Sequence, residues 1–419
     1  MKLLLKNILL PKDGGTEKTD ICIDGNRILS IGRVPENFAP DRTVEGNSKL
    51  LCIPALINAH THAYMTVLRN CADDLPFEEW LFNGVMPREN AMTNEEAYQS
   101  SLLGCCEMIR HGTGTFCDMH MFPDSSARAA YETGMRAVIT RGLSGSDDGQ
   151  RRIDEQFAEI ERWKDEKRLS FMLAPHAIYT CDRPYLEKIS KLAKEHSLGI
   201  HTHLSESLKE VDDCMKEHGM TPVEYLDSLS LLSENTLAAH CVHVSDNDIK
   251  ILAGRKVSIA ANPKSNAKLG NGIAPVRKFL NAGINVCLGT DSAASNNCLN
   301  MFSEMNYTAL IHKANDRDST SVSARNVFDF ATKNGAKALH IKNLGEIKEG
   351  YLADIALINT DCPQLTPLKD PYSALCYCMD GSETETLIID GKIVMEKREI
   401  KTIDEEKLLY NIKKNSKEV

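Results

Sequence analysis

The chain has 419 residues, and its 59 acidic against 49 basic side chains give a formal net charge of −10. This balance argues against nucleic acid and anionic membrane surfaces as partners and favours a small-molecule substrate. No apolar run approaches the ~20 residues that span a membrane, and the opening MKLLLKNILLPKDGG turns polar too early for a signal peptide, so we expect a cytoplasmic protein.

Short alternating apolar segments near both ends of the chain predict β-strands. KLLLKNILL, TDICIDG and RILSIGRV are separated by DGG and DGN near the start, and DIALINT and TLIIDGKIVMEKREI follow near the end. We therefore expect both ends to combine into one small β-sandwich, with two unrelated peripheral sheets as the alternative. The charged tail DEEKLLYNIKKNSKEV predicts a solvated terminal helix.

Between residue 51 and about residue 340, apolar runs alternate with amphipathic stretches, which is typical of parallel βα units. Eight runs are candidate strands: LLCIPALINA, GTFCD, MRAVITR, LSFMLAP, LGIHTHL, NTLAAHC, KVSIAA and INVCLGT. Eight strands predict a (β/α)8 TIM barrel, whose active site lies at the C-terminal strand ends. The predicted division is 1–52 and 343–402 for the β-sandwich, 53–342 for the barrel and 403–419 for the tail.

The first of these runs leads into NAHTHAYM, where two histidines flank one threonine. Side chains alternate faces along a strand, so His60 and His62 should point the same way at its C-terminal end. Two neutral imidazoles placed in this way can hold one cation. Two hydrogen-bonded structural histidines are the alternative.

Metal-binding side chains also end three other strands, in LGIHTHLSE, NTLAAHCVH and INVCLGTDS. His203 lies nearer its strand end than His201, which we expect to be structural. His240 ends its strand, whereas His243 lies in the loop and is expected to be a bystander. Asp291 follows its strand at a position that suits an anionic ligand oxygen.

His60, His62, His203 and Asp291 are thus the predicted ligands of one divalent metal ion per subunit. Zn2+ is expected, with Fe2+ or Mn2+ as alternatives. A position left to water would make the site catalytic, because a metal lowers the pKa of bound water toward ~7. The fourteen cysteines contain no C-x-x-C pair, so neither a disulfide scaffold nor a cysteine-held zinc site is expected.

Three residues have predicted roles in proton transfer. Asp291 would take a proton from the water, and Glu206 would carry a proton to the leaving side of the substrate. His240 would orient the attacking oxygen or stabilise the developing charge. A satisfied buried polar group is the alternative for each of the three.

The segments PALINAHTH, HTHLSES, AHCVH and LGTDS, in this order, resemble the amidohydrolase superfamily, specifically its mononuclear aminohydrolase branch. The resemblance covers nearly the whole chain and implies a (β/α)8 barrel flanked by a split β-sandwich. Ala55 departs from the glycine that the family usually has there. No lysine follows the LSFMLAP strand where a bridging carbamate would be expected, so a binuclear site is not expected.

Within that branch, DDLPFEEWLFNGVMPRE, APHAIYTC and NPKSNAKLGNGIAPV look like the S-adenosylhomocysteine/5′-methylthioadenosine deaminases. By this resemblance, Glu89 matches a glutamate that binds ribose hydroxyls, and His176 matches a substrate-contacting histidine. Trp80 is a further predicted substrate contact. Local capping or pairing of Glu89 and ordinary core packing of Trp80 are the alternatives.

Arginines complete the substrate contacts that the resemblance implies. Arg141, and either Arg151 or Arg152, resemble arginines that hold the carboxylate of a homocysteine moiety. A bidentate guanidinium suits a carboxylate and would be superfluous for methylthioadenosine. A solvated helix start is the alternative for the Arg-Arg pair. In this family the second arginine can come from a neighbouring subunit, which implies a homo-oligomer.

The predicted function is hydrolytic deamination of a 6-aminopurine nucleoside to the inosine analogue and ammonia. The expected substrates are S-adenosylhomocysteine, then 5′-methylthioadenosine or 5′-deoxyadenosine, then adenosine. An amidine, triazine or guanine-type aminohydrolase on the same scaffold is the alternative. A non-catalytic barrel-shaped interaction protein is a third possibility, which the retention of every predicted ligand disfavours.

Overall fold

The computed structural model describes residues 1–145 and 148–415. The described strands, in chain order, are β1 (Lys2–Lys12), β2 (Gly15–Asp24), β3 (Arg27–Ile31), β4 (Arg42–Glu45), β5 (Leu50–Pro54), β6 (Leu56–His62), β7 (Thr113–His120), β8 (Arg136–Leu143), β9 (Leu169–Pro175), β10 (Gly199–Leu204), β11 (Thr236–His240), β12 (Ser258–Ala261), β13 (Asn285–Leu288), β14 (Asp291–Ser292), β15 (Ile355–Asn359), β16 (Thr384–Ile389), β17 (Lys392–Glu396) and β18 (Glu399–Ile400).

The α-helices of the described residues are α1 (Met86–Ala91), α2 (Asn94–Arg110), α3 (Ser125–Thr133), α4 (Gly149–Trp163), α5 (Arg183–Glu195), α6 (Leu208–His218), α7 (Pro222–Ser228), α8 (Asp246–Gly254), α9 (Pro263–Lys268), α10 (Val276–Asn281), α11 (Ala293–Asn296), α12 (Met301–Asp316), α13 (Ala324–Phe330), α14 (Lys333–Ala338), α15 (Pro371–Tyr377) and α16 (Glu405–Asn415). Short 3-10 turns cover Ala63–Leu68 and Pro363–Leu365, and a π-helical turn covers Glu79–Val85. None of these helices has both the length and the apolar character needed to cross a membrane.

Strands from both chain ends form one mixed sheet in the order β18-β17-β16-β15-β5-β1-β2-β3, with β4 paired to β1. The antiparallel pairing of β5 with β15 joins the N-terminal strands to the C-terminal ones. Alternating apolar side chains such as Leu3, Leu5 and Ile355 give this sheet a core of its own. The expectation that both termini build one small β domain is confirmed.

The central sheet is a closed parallel barrel. Strands β6 to β13 pair in chain order, each with the next. Directly after β13, strand β14 pairs in parallel with β6, with Asp291 opposite Thr61 and Ser292 opposite His62. This pairing joins the last strand to the first, which confirms the predicted (β/α)8 class.

The predicted first strand, LLCIPALINA, is in fact two strands. Its first half is β5 in the terminal sheet, and its second half is β6 in the barrel. The chain changes sheets at Ala55, whose backbone N–H donates to the carbonyl oxygen of Asp354. Ala55 is not among the residues with positive φ, so alanine here carries none of the strain that a left-handed position would impose.

The terminal helix is largely exposed, as expected, but it is anchored along one side. Helix α16 packs on α2, where Nε of Arg110 lies 2.7 Å from the carboxylate of Glu405. Leu408 of α16 is buried. Alternating charges dominate the segment, so its apolar stripe is a weak signal in the sequence. Residues 416–419 of the predicted tail lie outside the described residues.

Candidate active site

A cavity of about 540 Å3 opens at the C-terminal ends of the barrel strands. Most predicted site residues line it: His62, Trp80, Glu89, Arg141, Arg151, Arg152, His176, His203, Glu206, His240 and Asp291. His60, which is fully buried, lies beneath this surface. Side chains that are far apart in sequence converge here because parallel barrel strands all end at the same face.

Strand β6 buries His60 and His62 at the bottom of the cavity. Nδ1 of His60 lies 2.9 Å from Nε2 of His201, so the histidine expected to be structural does hold a ligand candidate in place. A Cβ atom on Gly289 would lie only 2.7 Å from the Cβ of His60. Only glycine therefore lets the chain after β13 pass this close to His60.

His62 and His203 place two nitrogens face to face. Nδ1 of His62 lies 2.6 Å from the carbonyl oxygen of Met119, and Nδ1 of His203 lies 2.8 Å from that of His176. Carbonyl oxygens only accept, so both Nδ1 atoms donate the ring proton. The two Nε2 atoms, 3.3 Å apart, therefore direct lone pairs at each other, an arrangement that a cation would stabilise.

The carboxylate of Asp291 completes this cluster. Its Oδ1 lies 3.4 Å from Nε2 of His60 and 3.4 Å from Nε2 of His62. Its Oδ2 accepts hydrogen bonds from Ser265 Oγ at 2.6 Å and Ser295 Oγ at 2.8 Å, which turns Oδ1 toward the imidazoles. Asp291 has a left-handed φ of 61°, a strained conformation that clusters at functional sites.

These donors fit a divalent cation. Nε2 of His60 is buried without a hydrogen-bond partner. Ligand atoms of His60, His62 and Asp291 lie within 4.8 Å of one another, as do those of His60, His203 and His240. Imidazole nitrogens with one carboxylate oxygen form a donor set that zinc, iron and manganese accept. The fold thus brings the four predicted ligands together, and metal binding by them stays a prediction.

The charge states of these groups suit metal binding. Burial lowers the pKa of His60 to about 4 and that of His203 well below its ordinary value. Burial alone would raise the pKa of Asp291, but His60 and His240 hold it well below its usual range. Neutral imidazoles and an ionised carboxylate are the forms that bind a metal, so no proton need leave them first.

Glu206 is held by partners on two sides. Its Oε1 accepts a hydrogen bond from Nδ2 of Asn271 at 2.9 Å. Its backbone N–H and that of Ser205 donate to the carboxylate of Glu210, at 2.8 Å and 2.9 Å. Burial raises the pKa of Glu206 above its ordinary value, which favours a carboxyl that carries a proton near neutrality.

His240 faces Glu206 from the end of β11. Its Nε2 lies 3.7 Å from Oε2 of Glu206, and its Nδ1 donates to Oδ1 of Asn266 at 2.8 Å. Burial lowers the pKa of His240, but the charges of Glu206 and Asp291 outweigh burial and raise the pKa. His240 has a φ of 73°, the left-handed region again.

Aromatic side chains and a glutamate also line the cavity. Trp80 is buried, with its ring 5.9 Å from that of Phe77 and its Nε1 donating to the carbonyl oxygen of Ala294 at 3.4 Å. It therefore both packs in the core and lines the cavity. Glu89 accepts a hydrogen bond from the hydroxyl of Tyr64, which also lines the cavity.

Charged side chains occupy one end of the cavity. The guanidinium of Arg141 is buried and pairs with Glu155 at 2.8 Å, yet its Nη1 has no hydrogen-bond partner. Arg151 pairs with both Glu155 and Asp148, and Arg152 also contacts Asp148. Among the described residues, these three guanidiniums pair with two carboxylates. Arg151 is exposed in the first turn of α4, which agrees with the alternative of a solvated helix start, whereas Arg152 is half-buried.

His176 lies just after β9, next to the imidazole ring of His203. Its Nδ1 lies 3.1 Å from Oγ1 of Thr180, and its ring centroid is 4.8 Å from that of His203. The backbone carbonyl of His176 accepts the proton of His203 Nδ1. His176 thus orients a predicted ligand through its backbone while its side chain faces the cavity.

Residues 121–123 form another wall, and His120 anchors them. Nδ1 of His120 lies 2.6 Å from the carbonyl oxygen of Phe122, and Nε2 lies 3.1 Å from the carboxylate of Glu159. Both nitrogens face acceptors, so the ring is a buried imidazolium. Glu159 also accepts from the backbone N–H of Asp124 at 3.0 Å.

Sequence reasoning missed four residues of the site. Tyr64 donates a hydrogen bond to Glu89, and Asn271 donates one to Glu206. Glu210 accepts a hydrogen bond from the backbone N–H of Glu206. His243, expected to be a bystander, supports Asn271 by hydrogen bonding to its carbonyl oxygen at 2.6 Å. Tyr64 lies in NAHTHAYM and Asn271 lies in NPKSNAKLGNGIAPV, so their position inside these motifs was the signal that could have identified them. The residues they contact, however, are distant in sequence.

Comparison with known proteins agrees with this geometry. The amidohydrolase family profile matches residues 51–394. A 5-methylthioadenosine/S-adenosylhomocysteine deaminase of Thermoanaerobacter pseudethanolicus is 45% identical over 436 residues, covering 100% of this chain and 99% of the relative. A 5′-deoxyadenosine deaminase of Methanocaldococcus jannaschii is 44% identical and covers 97% of each chain. The crystal structure of an adenosine deaminase from Xanthomonas campestris with bound zinc superposes with a TM-score of 0.93 at 30% identity, covering 98% of this chain and 97% of that one.

Proposed function

Because the chain belongs to the amidohydrolase family, we propose that it hydrolyses a C–N bond and deaminates a 6-aminopurine nucleoside. Water adds at C6 of the purine, the bond from C6 to the exocyclic nitrogen breaks, and ammonia leaves with the inosine analogue as the other product. The observation that carries the proposal is the placement of Glu206 and His240 beside the cluster of His62, His203 and Asp291 in one cavity.

One divalent metal ion per subunit is part of the proposal, with zinc first and iron or manganese as alternatives. His60, His62, His203 and Asp291 would hold it. The unpartnered Nε2 of His60 and the facing Nε2 atoms of His62 and His203 support this assignment. When bound, such a cation activates water as a nucleophile near neutral pH.

Three side chains move or hold protons in the proposed reaction. Asp291 Oδ1, kept ionised by its low pKa, takes a proton from the attacking water and then gives it to the departing amino group, so that ammonia can leave. Glu206 delivers a proton from Oε2 to the ring nitrogen next to C6, because Oε1 already accepts from Asn271, and regains a proton from the hydroxyl at C6 as the carbonyl forms. His240 orients the attacking oxygen through Nε2, while Nδ1 is tied to Asn266.

The proposed nucleoside lies along the cavity with its purine at the histidines. Glu89 accepts hydrogen bonds from the ribose, and Trp80 and His176 contact the substrate. The unpartnered Nη1 of Arg141 and the guanidiniums of Arg151 and Arg152, all in the cavity lining, support a 5′ substituent with a carboxylate. We therefore place S-adenosylhomocysteine before methylthioadenosine or 5′-deoxyadenosine, and adenosine last. Homo-oligomeric assembly and a cytoplasmic location remain predictions.

The experiment is an ultraviolet screen for conversion of adenine to hypoxanthine over nucleosides that differ at the 5′ position. The enzyme should deaminate at least one nucleoside of this panel and release one molecule of ammonia per turnover. The variant Glu89→Gln should lower kcat/KM for nucleosides by roughly tenfold or more but spare substrates without ribose, which separates a nucleoside deaminase from a triazine or guanine-type hydrolase. Absence of ammonia release over the whole nucleoside panel, with metal present, would contradict the proposal.

A further inference from the structure

Tyr64 is a buried polar residue that the proposed reaction does not use. It lies on the 3-10 turn directly after β6, and only 1% of its surface is exposed. Its ring centroid is 5.6 Å from that of Phe122 and 6.3 Å from that of His62, with both neighbours packed edge to face. The ring is therefore fixed, and its hydroxyl borders the cavity at one position.

The hydrogen bond between Tyr64 and Glu89 has only one direction when Glu89 is ionised. A carboxylate only accepts, so the phenol donates its single proton to Oε1 of Glu89. None of the described residues donates to the other oxygen, Oε2. The phenol oxygen keeps its lone pairs and has no proton left to offer a ligand.

Burial raises the pKa of Glu89, and the hydrogen bond from Tyr64 opposes this rise. With Glu89 ionised, the pair presents acceptors to the cavity and no donor. Glu89 offers Oε2, and Tyr64 offers its phenol oxygen next to it. A ligand that matches this surface carries two hydroxyl donors on neighbouring atoms, which is the chemistry of a vicinal diol. A carboxylate or phosphate would meet repulsion at this point, in contrast to the arginine end of the cavity.

We propose that Tyr64 is a specificity-determining residue for the sugar, and that it accepts one ribose hydroxyl while Oε2 of Glu89 accepts the other. This inference rests on the proposed nucleoside function and goes beyond it by assigning the two hydroxyls to two different residues. Because a site built to bind a hydroxyl rejects a ligand that lacks it, each deoxy analogue should be discriminated against.

The test crosses two variants with three substrates. Wild type, Tyr64→Phe and Glu89→Gln are assayed with adenosine, 2′-deoxyadenosine and 3′-deoxyadenosine, and kcat and KM are measured separately. In the wild type, loss of either hydroxyl should reduce kcat/KM by roughly tenfold or more. In Y64F the penalty for one hydroxyl should disappear, and in E89Q the penalty for the other should disappear.

The control is Tyr410→Phe, which removes a hydroxyl from a tyrosine that is 67% exposed on α16. Y410F should show the wild-type penalties, and thermal unfolding establishes that each variant is folded. If Y64F and E89Q both lose the penalty for the same hydroxyl, Glu89 alone recognises the ribose hydroxyls and the proposal for Tyr64 is overturned. Equal losses on all three substrates in Y64F overturn it as well. No turnover of any nucleoside by the wild type overturns the proposed function itself.

Discussion

Nε2 of His62 lies 3.3 Å from Nε2 of His203, although the opposite nitrogen of each ring already donates its proton to a backbone carbonyl. Two imidazole lone pairs that face each other do not hydrogen bond, and a cation shared between them would stabilise the arrangement.

The protein as purified should contain about one divalent ion per chain, measured by elemental analysis. Substitution His203→Asn should lower the metal content at least tenfold, because one of the facing nitrogens is lost. Chelation of the wild type should lower its melting temperature and abolish deamination, and added zinc should restore both. His340→Asn, at an exposed histidine outside the cavity, is the control and should keep its metal. Full activity after complete chelation would contradict the metal assignment.

Glu206→Gln should retain the metal and lose turnover by roughly 10²- to 10⁴-fold, the range expected for a missing proton donor. Glutamine keeps the size of the side chain but cannot carry the proton. The measurements are kcat and metal content on the same sample, with the exposed Glu217→Gln as the matched control. A Glu206→Gln protein without metal would mean that Glu206 is a ligand instead.

Asn271→Ala should reduce kcat roughly tenfold while KM changes less, since one hydrogen bond to Glu206 is lost. Asn271 lowers the pKa of Glu206 by donating to its carboxylate. Without that donor, the limb of the pH–rate profile that reports Glu206 should move to higher pH. The exposed Asn281→Ala serves as the control. An unchanged pH profile would argue that Asn271 only fills space.

The ion pair of His120 with Glu159 should make stability depend on pH. Burial lowers the pKa of His120, but the charge and hydrogen bond of Glu159 outweigh burial and raise it. A raised folded-state pKa stabilises the protein fully below the unfolded value of ~6.5, and this stabilisation is lost as the pH rises through the folded pKa.

Accordingly, His120→Gln should destabilise the protein by about 3 kcal/mol below pH 6, because the substitution leaves Glu159 buried without its cation. The difference from wild type should shrink at alkaline pH. Denaturant unfolding across this pH range measures it, with His340→Asn as the control. A difference that stays constant with pH would show that His120 is neutral in the folded protein.

The barrel and its cluster of histidines could be predicted because their signals are local. Apolar runs of strand length and histidines at fixed offsets within them identify His60, His62 and His203 without knowledge of distant contacts. The strand break at Ala55 could not be found, because both halves of the run are equally apolar and differ only in which sheet receives them.

Contacts between loops were beyond the sequence for a different reason. Tyr64 lies on the 3-10 turn after β6 and Glu89 lies on α1, and Asn271 reaches Glu206 from a distant loop. The residues of one segment do not indicate how close the other segment will lie in the folded protein. Amphipathic helix α16 is an intermediate case: its apolar stripe exists in the sequence, but burial of Leu408 depends on the presence of α2.

Pairing of β14 with β6 has a consequence for how the site forms during folding. Asp291 reaches His62 only when the last barrel strand has docked on the first. A folding chain in which that strand has not yet docked brings the imidazoles together without the carboxylate. The complete set of donor atoms therefore exists only once the ring of strands has closed.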